Sequence, residues 1–172
     1  RYLDIPFQHI SDNQLSLMKR RHTKADALRL IEKLRASIPD IALRTTLLVG
    51  YPGETEEEYA ELCEFVKTAR FERLGCFAFS AEEGTVAERM PNQLPEELRQ
   101  QRADGVMQLQ TGIMAENQAA LVGKVITVMC DDYDPEEDLF ICRSVADAPD
   151  IETVLPEFLD FCGGLPLCAH NA

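Results

Sequence analysis

The chain has 172 residues, a formal net charge of −13 and 45% hydrophobic residues, enough for the core of one domain plus a small module. No run approaches the roughly 18 apolar residues that a membrane-spanning helix needs, and the first residues, which begin with Arg1, resemble neither a signal nor a transit peptide. We therefore expect a cytoplasmic protein with no membrane association. Because its start reads like the middle of a strand, we also expect it to be a fragment.

The first 80 residues alternate between strand and helix patterns. Residues 2–8, 41–49 and 74–80 have the composition of strands. Residues 13–20 predict a first helix, Thr23 predicts the N-cap of a second, and Thr55 with Glu58 forms a capping box for a third. Crossover helices of this kind imply a parallel sheet in an α/β fold. Three strands close poorly on their own, so we expect further strands before Arg1.

A long helix and a small β module follow. Pro95 suits the first turn of the helix, and its inner side is predicted to carry Leu98, Val106, Leu109, Ile113 and Ala120. Residues 124–130 and 139–145 predict strands joined by a charged turn at 131–138. The pattern weakens after Ile151. We expect one domain over residues 1–119 and a second over 120–172, with an atypical tail from about Leu155.

The negative charge is concentrated at the C-terminal end. Residues 124–172 contain two basic and eleven acidic residues, so they carry nine of the thirteen net negative charges. Such a segment repels phosphate backbones, which argues against direct nucleic-acid binding and favours a basic protein as partner. An acidic surface that only aids solubility is an equally good reading.

The six cysteines do not form a recognisable metal-binding pattern. No pair is spaced C-x-x-C, and P-loop, zinc and serine-hydrolase motifs are also lacking. Cys63 and Cys76 lie in apolar periodic segments and are predicted to be buried thiols. Cys162 and Cys168 flank a Gly-Gly-Leu-Pro stretch without a clear role. We therefore identify no metal ligand and no catalytic residue from the patterns.

Two candidate binding segments end predicted strands. The turn after the second strand places Gly50 and Gly53 where ligands bind in parallel α/β folds, and Val49 could contact a flat ring. An ordinary strand-to-helix turn explains the same residues. At the end of the first strand, Gln8 could hydrogen-bond a ribose hydroxyl. Arg20 or Arg21 could pair with a carboxylate, or the two could belong to a solvated basic helix end.

Four segments in this order resemble the methylthiotransferase family of radical S-adenosylmethionine (SAM) enzymes. They read Tyr-Leu-Asp-Ile-Pro-Phe-Gln-His-Ile-Ser at 2–11, Met-Lys-Arg-Arg-His-Thr at 18–23, Arg-Thr-Thr-Leu-Leu-Val-Gly-Tyr-Pro-Gly-Glu-Thr at 44–55 and Phe-Ala-Phe-Ser-Ala-Glu-Glu-Gly-Thr at 77–85. The resemblance extends to about residue 152. Gln-His-Ile-Ser, Arg-Thr-Thr and Ala-Asp-Ala-Pro at 146–149 favour the RimO type, which modifies an aspartate of a small-subunit ribosomal protein. The alternative is the MiaB type, which modifies an adenosine of transfer RNA.

The resemblance implies the fold, cofactors and site residues. The fold would be the C-terminal half of a radical SAM partial (β/α) barrel followed by an incomplete TRAM-like module. Full-length relatives hold SAM and [4Fe–4S] clusters, whose cysteine ligands are absent from this chain, so we expect it to be inactive alone and monomeric at full length. The residues implied at the SAM site are Gln8, Arg20, Thr46, Val49, Gly50 and Phe79.

Two readings from other functional classes stay open. The first is a non-catalytic module that binds a basic protein through its acidic end. The second is a defective gene product without a function, which the exposed edge of an incomplete barrel would make poorly soluble.

Overall fold

A computed structural model describes residues 1–144 as a three-stranded parallel sheet, four α-helices and a separate β-hairpin. The strands of the sheet are β1 (Tyr2–Asp4), β2 (Ala42–Val49) and β3 (Arg73–Ala78). The helices are α1 (Asp12–Leu17), α2 (Lys24–Ser37), α3 (Glu56–Ala69) and α4 (Glu96–Ala119). A 3₁₀ turn covers Ala87–Arg89, and strands β4 (Val128–Asp134) and β5 (Leu139–Ser144) form the hairpin.

The sheet confirms the predicted α/β arrangement. Its order is β1-β2-β3, and both pairings are parallel, as the helical crossovers require. β1 is shorter than the predicted 2–8 strand because Pro6 cannot donate to the ladder and the chain rejoins β2 only at Gln8, which bridges Leu47. The C-terminal ends of the three strands therefore lie side by side. They form one edge of the sheet, with Gln8, Val49 and the residues after Ala78.

The helices begin where the sequence predicts them. Thr23 and Thr55 are the N-caps of α2 and α3, and in both cases the full capping box is formed, with Asp26 and Glu58 as the acidic partners. Side chains from α2, α3 and α4 then pack on one face of the sheet to make the core. The largest fully buried side chains are Phe71, Ile10, Leu15, Leu43, Leu47 and Leu62.

The other face of the sheet is more open. Along β2 the odd-numbered residues are buried against the helices, whereas Arg44 is exposed and Thr46 and Leu48 are half-buried. Across the register, Thr46 lies beside Gly75 and Leu48 beside Phe77, whose side chain is 60% exposed. We call the surface formed by Arg44, Thr46, Leu48, Gly75 and Phe77 the open face.

The β-hairpin differs in part from the sequence prediction. The sequence predicts a turn over residues 131–138, but Asp131–Asp134 continue β4, and the reversal is confined to residues 135–138. Pairing with β5 outweighs the low strand propensity of aspartate here. Ala120 was predicted to be on the inner side of the long helix, but it is exposed and follows the last helical residue. Val145 and the tail from about Leu155 lie outside the described residues.

Candidate functional site

The edge formed by the strand ends is held together by backbone hydrogen bonds. The Gln8 N–H donates to the Thr46 carbonyl (2.9 Å), and the Leu48 N–H donates to the Gln8 carbonyl (2.7 Å). On the other side of β2, the Phe79 N–H donates to the Val49 carbonyl (2.8 Å). Gln8 has a left-handed backbone (φ 68°), and its side chain is half-buried. These contacts fix Gln8, Thr46, Val49 and Phe79 in neighbouring positions.

Gly50 is at the centre of this edge and lies against α4. Its φ is +75°, and a Cβ at this position would overlap the Arg99 side chain. The Arg99 guanidinium lies 5.9 Å from the centroid of the Phe79 ring and donates to the Phe79 carbonyl. Its Nε is buried without a hydrogen-bond partner in the described part of the chain. The first turns of α4 therefore close the edge beside Gly50 and bring one unused donor to it.

A buried carboxylate, Glu54, holds the same turn through a hydrogen bond to its backbone. It accepts a hydrogen bond from the Gly50 N–H, and its oxygens lie 3.5 Å from His9 Nε2 and 3.6 Å from Arg102 Nη1. The Ser11 N–H donates to His9 Nδ1 (3.0 Å), so the proton of a neutral His9 is on Nε2, facing Glu54. Arg102 also donates to the Glu54 carbonyl (3.1 Å). The carboxylate thus joins β2, the loop after β1 and α4.

A second carboxylate, Glu58, holds the loop between β1 and α1. It accepts hydrogen bonds from the Ser11 hydroxyl (2.8 Å), the Asn13 amide (2.8 Å), the Gln14 amide (2.9 Å) and the Thr55 N–H (2.9 Å). Burial acts to raise the pKa of this carboxyl, but the four donors outweigh it and lower the pKa. A single ionised side chain therefore connects the starts of α1 and α3.

The structure brings five of the six predicted site residues together. Gln8, Thr46, Val49, Gly50 and Phe79 share the strand-end edge, whereas Arg20 is exposed after the end of α1. No hydrogen bond or ion pair joins Arg20 to the other five within residues 1–144. Val49 is 0% exposed because its side chain is in the core, so any contact with a ligand would have to use its backbone. The roles of all six stay predictions.

Comparisons with known proteins identify the family of this chain. The Radical SAM superfamily model matches residues 1–66. The chain is 48% identical over 160 residues to the ribosomal protein uS12 methylthiotransferase RimO of Bacteroides thetaiotaomicron, which covers 92% of this chain and 36% of the relative. The RimO of Desulfitobacterium hafniense is 47% identical over 167 residues, covering 97% of this chain and 37% of the relative. The chain belongs to the RimO-type radical SAM methylthiotransferase family.

Membership of this family confirms the resemblance that the sequence motifs indicate. The chain spans little more than a third of the length of the curated relatives it matches. The match to RimO of Bacteroides fragilis is 46% identical and covers 99% of this chain, so it extends beyond Leu155.

Among the helices of residues 1–144, none is both long enough and apolar enough to cross a bilayer.

The residues at the edge fit the adenosyl part of the SAM that gives this superfamily its name. A flat base needs apolar walls, and Leu48 and Phe77 supply them side by side on the open face. Ribose hydroxyls need hydrogen-bonding partners, and the half-buried Thr46 hydroxyl and Gln8 amide are both near. The unpartnered Arg99 Nε adds a buried donor that would suit an anionic or carbonyl oxygen.

Within the described residues, no group of side chains could hold an iron–sulfur cluster of the kind that this family uses. Residues 1–144 contain no group of three or more His, Cys, Asp or Glu side chains that could hold a metal ion. Cys63 and Cys76 are half-buried free thiols rather than fully buried ones. Burial raises the pKa of both, and that of Cys76 to about 12, so both remain protonated at neutral pH and are poor metal ligands.

Sequence reasoning missed three side chains that organise the edge: Glu54, Arg99 and Arg102. Arg102 had a usable signal, because it lies four residues before Val106 on the apolar stripe of the long helix. A charged residue at such a position indicates a buried ion pair. Glu54 and Arg99 had no comparable signal, since their burial depends on how α4 crosses the end of β2.

Proposed function

We propose that residues 1–119 form the C-terminal half of a radical SAM partial (β/α) barrel and that residues 120–172 form an incomplete TRAM-like module with an atypical tail. The observation that carries this proposal is a parallel sheet with one open face, at whose strand ends five of the six predicted SAM residues lie together. An incomplete barrel has one face covered by helices and one face turned toward its interior. The half-buried and exposed residues of β2 and β3 have that distribution.

The residues at the edge would bind and orient SAM. Gln8 would hydrogen-bond the ribose, Thr46 would supply a hydroxyl from the open face, and Gly50 would present its backbone to the adenosyl group. Phe79 would close the edge together with the Arg99 guanidinium that rests on it. Arg20 would approach the carboxylate of the methionine part or the reaction pocket. Bound SAM supplies the precursor of a radical and a methyl group.

The reaction would be methylthiolation of an aspartate in a small-subunit ribosomal protein. The relatives carry the name ribosomal protein uS12 methylthiotransferase, and this chain matches them over nearly all its length. The nine net negative charges of residues 124–172 suit a basic ribosomal protein better than transfer RNA. Such a substrate would place the reaction in the cytoplasm. The cysteine ligands of the clusters would lie on a preceding segment, so the chain alone would be inactive.

The SAM site can be tested by binding, without the clusters. The 172-residue chain would be titrated calorimetrically with S-adenosylhomocysteine, an unreactive analogue. We expect Thr46→Val to weaken binding roughly fivefold, the effect of losing a hydrogen bond worth about 1 kcal/mol. Thr111→Val is the matched control, since this exposed hydroxyl donates within α4 to the Met107 carbonyl and lies outside the proposed site.

Gln8→Gly separates binding from folding. Glycine adopts the left-handed conformation of Gln8 without strain, so stability should be kept or raised while binding weakens. If neither Gln8→Gly nor Thr46→Val changes the affinity more than the control does, the edge is not the SAM site.

The substrate can be tested with a chimera. This chain would replace the matching segment of the Bacteroides thetaiotaomicron relative, and the mass of uS12 and the nucleosides of transfer RNA would be measured after reaction. We expect the methylthio mass on uS12 alone. Modification of transfer RNA would instead support the MiaB type. A folded, SAM-binding chimera that modifies neither would contradict the assignment of this chain to catalysis.

A further inference from the structure

Two cysteines face each other across the β-hairpin. Cys130 on β4 is the direct register partner of Cys142 on β5 in an antiparallel pairing. Directly opposed residues of antiparallel strands have Cα atoms about 4.5–5.5 Å apart and point to the same face. Both thiols are free, and both residues are exposed.

The pairing register shifts between Cys130 and Asp132, and the Cys130–Cys142 pair lies on the regular side of that shift. The usual spacing of such opposed residues meets the distance requirement of a disulfide. Bridged cysteines usually have Cα atoms about 4.4–6.8 Å apart, and the spacing of opposed antiparallel residues falls within this window. The two thiols also interact. Desolvation and then the adjacent Cys130 thiol raise the pKa of Cys142, and the nearby Asp131 carboxylate acts in the same direction. Cys130 Sγ is further oriented by the Asp132 carbonyl, 3.5 Å away.

The other described cysteines lack this arrangement. Cys63 lies on α3 and Cys76 on β3, and each is half-buried. Their thiols are shielded from reagents by the same burial that raises their pKa. The hairpin pair is therefore the accessible dithiol among residues 1–144.

We propose that Cys130 and Cys142 form a redox modification site that closes to an intrahairpin disulfide by exchange with low-molecular-weight disulfides. One thiolate attacks a sulfur of the small disulfide RS–SR, which forms a mixed disulfide and releases one RS⁻. The second cysteine thiolate attacks the protein sulfur of the mixed disulfide and releases the second RS⁻. The two protein thiols lose two electrons and two protons, and the small disulfide is reduced to two RSH. An excess of small thiol reverses both steps.

Trypsin digestion separates the Cys130–Cys142 pair from the other cysteines. Lys124 and Arg143 are the nearest trypsin sites on either side, so both cysteines fall in one peptide, residues 125–143. Cys63 and Cys76 fall in other peptides, 45–67 and 74–89, and Cys162 and Cys168 in the peptide 144–172. The full chain would be incubated with oxidised glutathione at mildly alkaline pH, quenched, denatured, alkylated and digested for mass spectrometry.

We expect the 125–143 peptide to lose two hydrogens and to accept no alkyl group, while the 45–67 and 74–89 peptides remain alkylated. Reduced glutathione in excess should restore two alkyl groups on 125–143. The proposal is overturned if that peptide is alkylated twice after oxidation. It is equally overturned if the peptide carries separate glutathione adducts without closure.

A matched variant tests whether facing thiols are required rather than thiols that are merely near in sequence. Ile141→Cys combined with Cys142→Ser moves one thiol by a single residue and turns it to the opposite face of the strand. We expect the closed fraction to fall by about tenfold or more, because the effective concentration of one thiol at the other is lost. The wild-type chain in concentrated urea should show the same fall. Equal closure in either case would contradict the proposal.

Discussion

Replacing Gly50 with alanine tests how closely α4 covers the turn at the end of β2. Gly50 has φ +75°, and an added Cβ would overlap Arg99 Cγ and lie 2.8 Å from Arg99 Cβ and 3.2 Å from its Cα. The last of these atoms belongs to the backbone of α4, so rotation of the Arg99 side chain cannot remove the conflict. The helix would have to shift.

The magnitude follows from two contributions. Placing a non-glycine residue in the left-handed region costs about 1–2 kcal/mol. Forcing an extra carbon into a packed contact costs about 1–3 kcal/mol more. We therefore expect Gly50→Ala to lower the free energy of unfolding by about 2–5 kcal/mol, a large share of the 5–15 kcal/mol that is typical for a domain.

Gly53→Ala is the matched control. Its φ of +81° is nearly the same, but no atom lies within 4 Å of the position of its added Cβ. It should therefore show only the backbone cost of about 1–2 kcal/mol. Urea unfolding followed by far-UV circular dichroism measures both variants, with the midpoint and slope fitted separately. If Gly50→Ala costs no more than Gly53→Ala, α4 does not pack on this turn and the geometry of the edge is wrong.

Two further substitutions test the carboxylates behind the edge. Arg102→Met should cost about 3–5 kcal/mol because it leaves the buried Glu54 carboxylate without its guanidinium partner. Adding Glu54→Gln should recover part of that loss, and simple additivity in urea unfolding would argue against the pairing. Glu58→Gln should cost about 1–2 kcal/mol at pH 7, since Glu58 is only partly buried. The lowered pKa of Glu58 means that its contribution is complete above the ordinary glutamate pKa and is lost as the pH falls through the lowered value. The variant should therefore lose less stability than the wild type on acidification, and parallel acid profiles would refute this.

The sequence predicts most of the fold because its signals are local. The capping boxes at Thr23 and Thr55 and the apolar periodicities of the helices each depend on residues a few positions apart, and each is found in the structure. The bounds of the hairpin strands are predicted less accurately for the same reason. Aspartate reads as a turn residue in isolation, and only the partner strand shows that Asp131–Asp134 are paired.

The sequence predicts the strand-end residues of the candidate site but not the buried side chains that hold them in place. Polar and glycine residues at strand ends identified Gln8 and Gly50, and the structure brings them to one edge. Several of the contacts that hold this edge join residues more than 40 positions apart, as Glu58 with Ser11 and Arg102 with Glu54. The apolar stripe of α4 indicates that Arg102 is buried, but its partner depends on how the helix crosses the sheet.

The two carboxylates explain how a glycine-containing turn can be positioned for a ligand without rigid side chains of its own. Glu54 accepts a hydrogen bond from the Gly50 N–H and lies 3.5 Å from His9 Nε2, while Glu58 fixes Ser11 and Gln14 in the loop that follows Gln8. Both act from the side of the sheet that the helices cover, so the open face is left to Thr46, Leu48 and Phe77. A ligand on the open face would therefore meet groups held in place by charges that it does not contact. Substitution of Glu54 or Glu58 should consequently weaken binding only as far as it loosens the edge, whereas substitution of Thr46 should weaken binding without a comparable loss of stability.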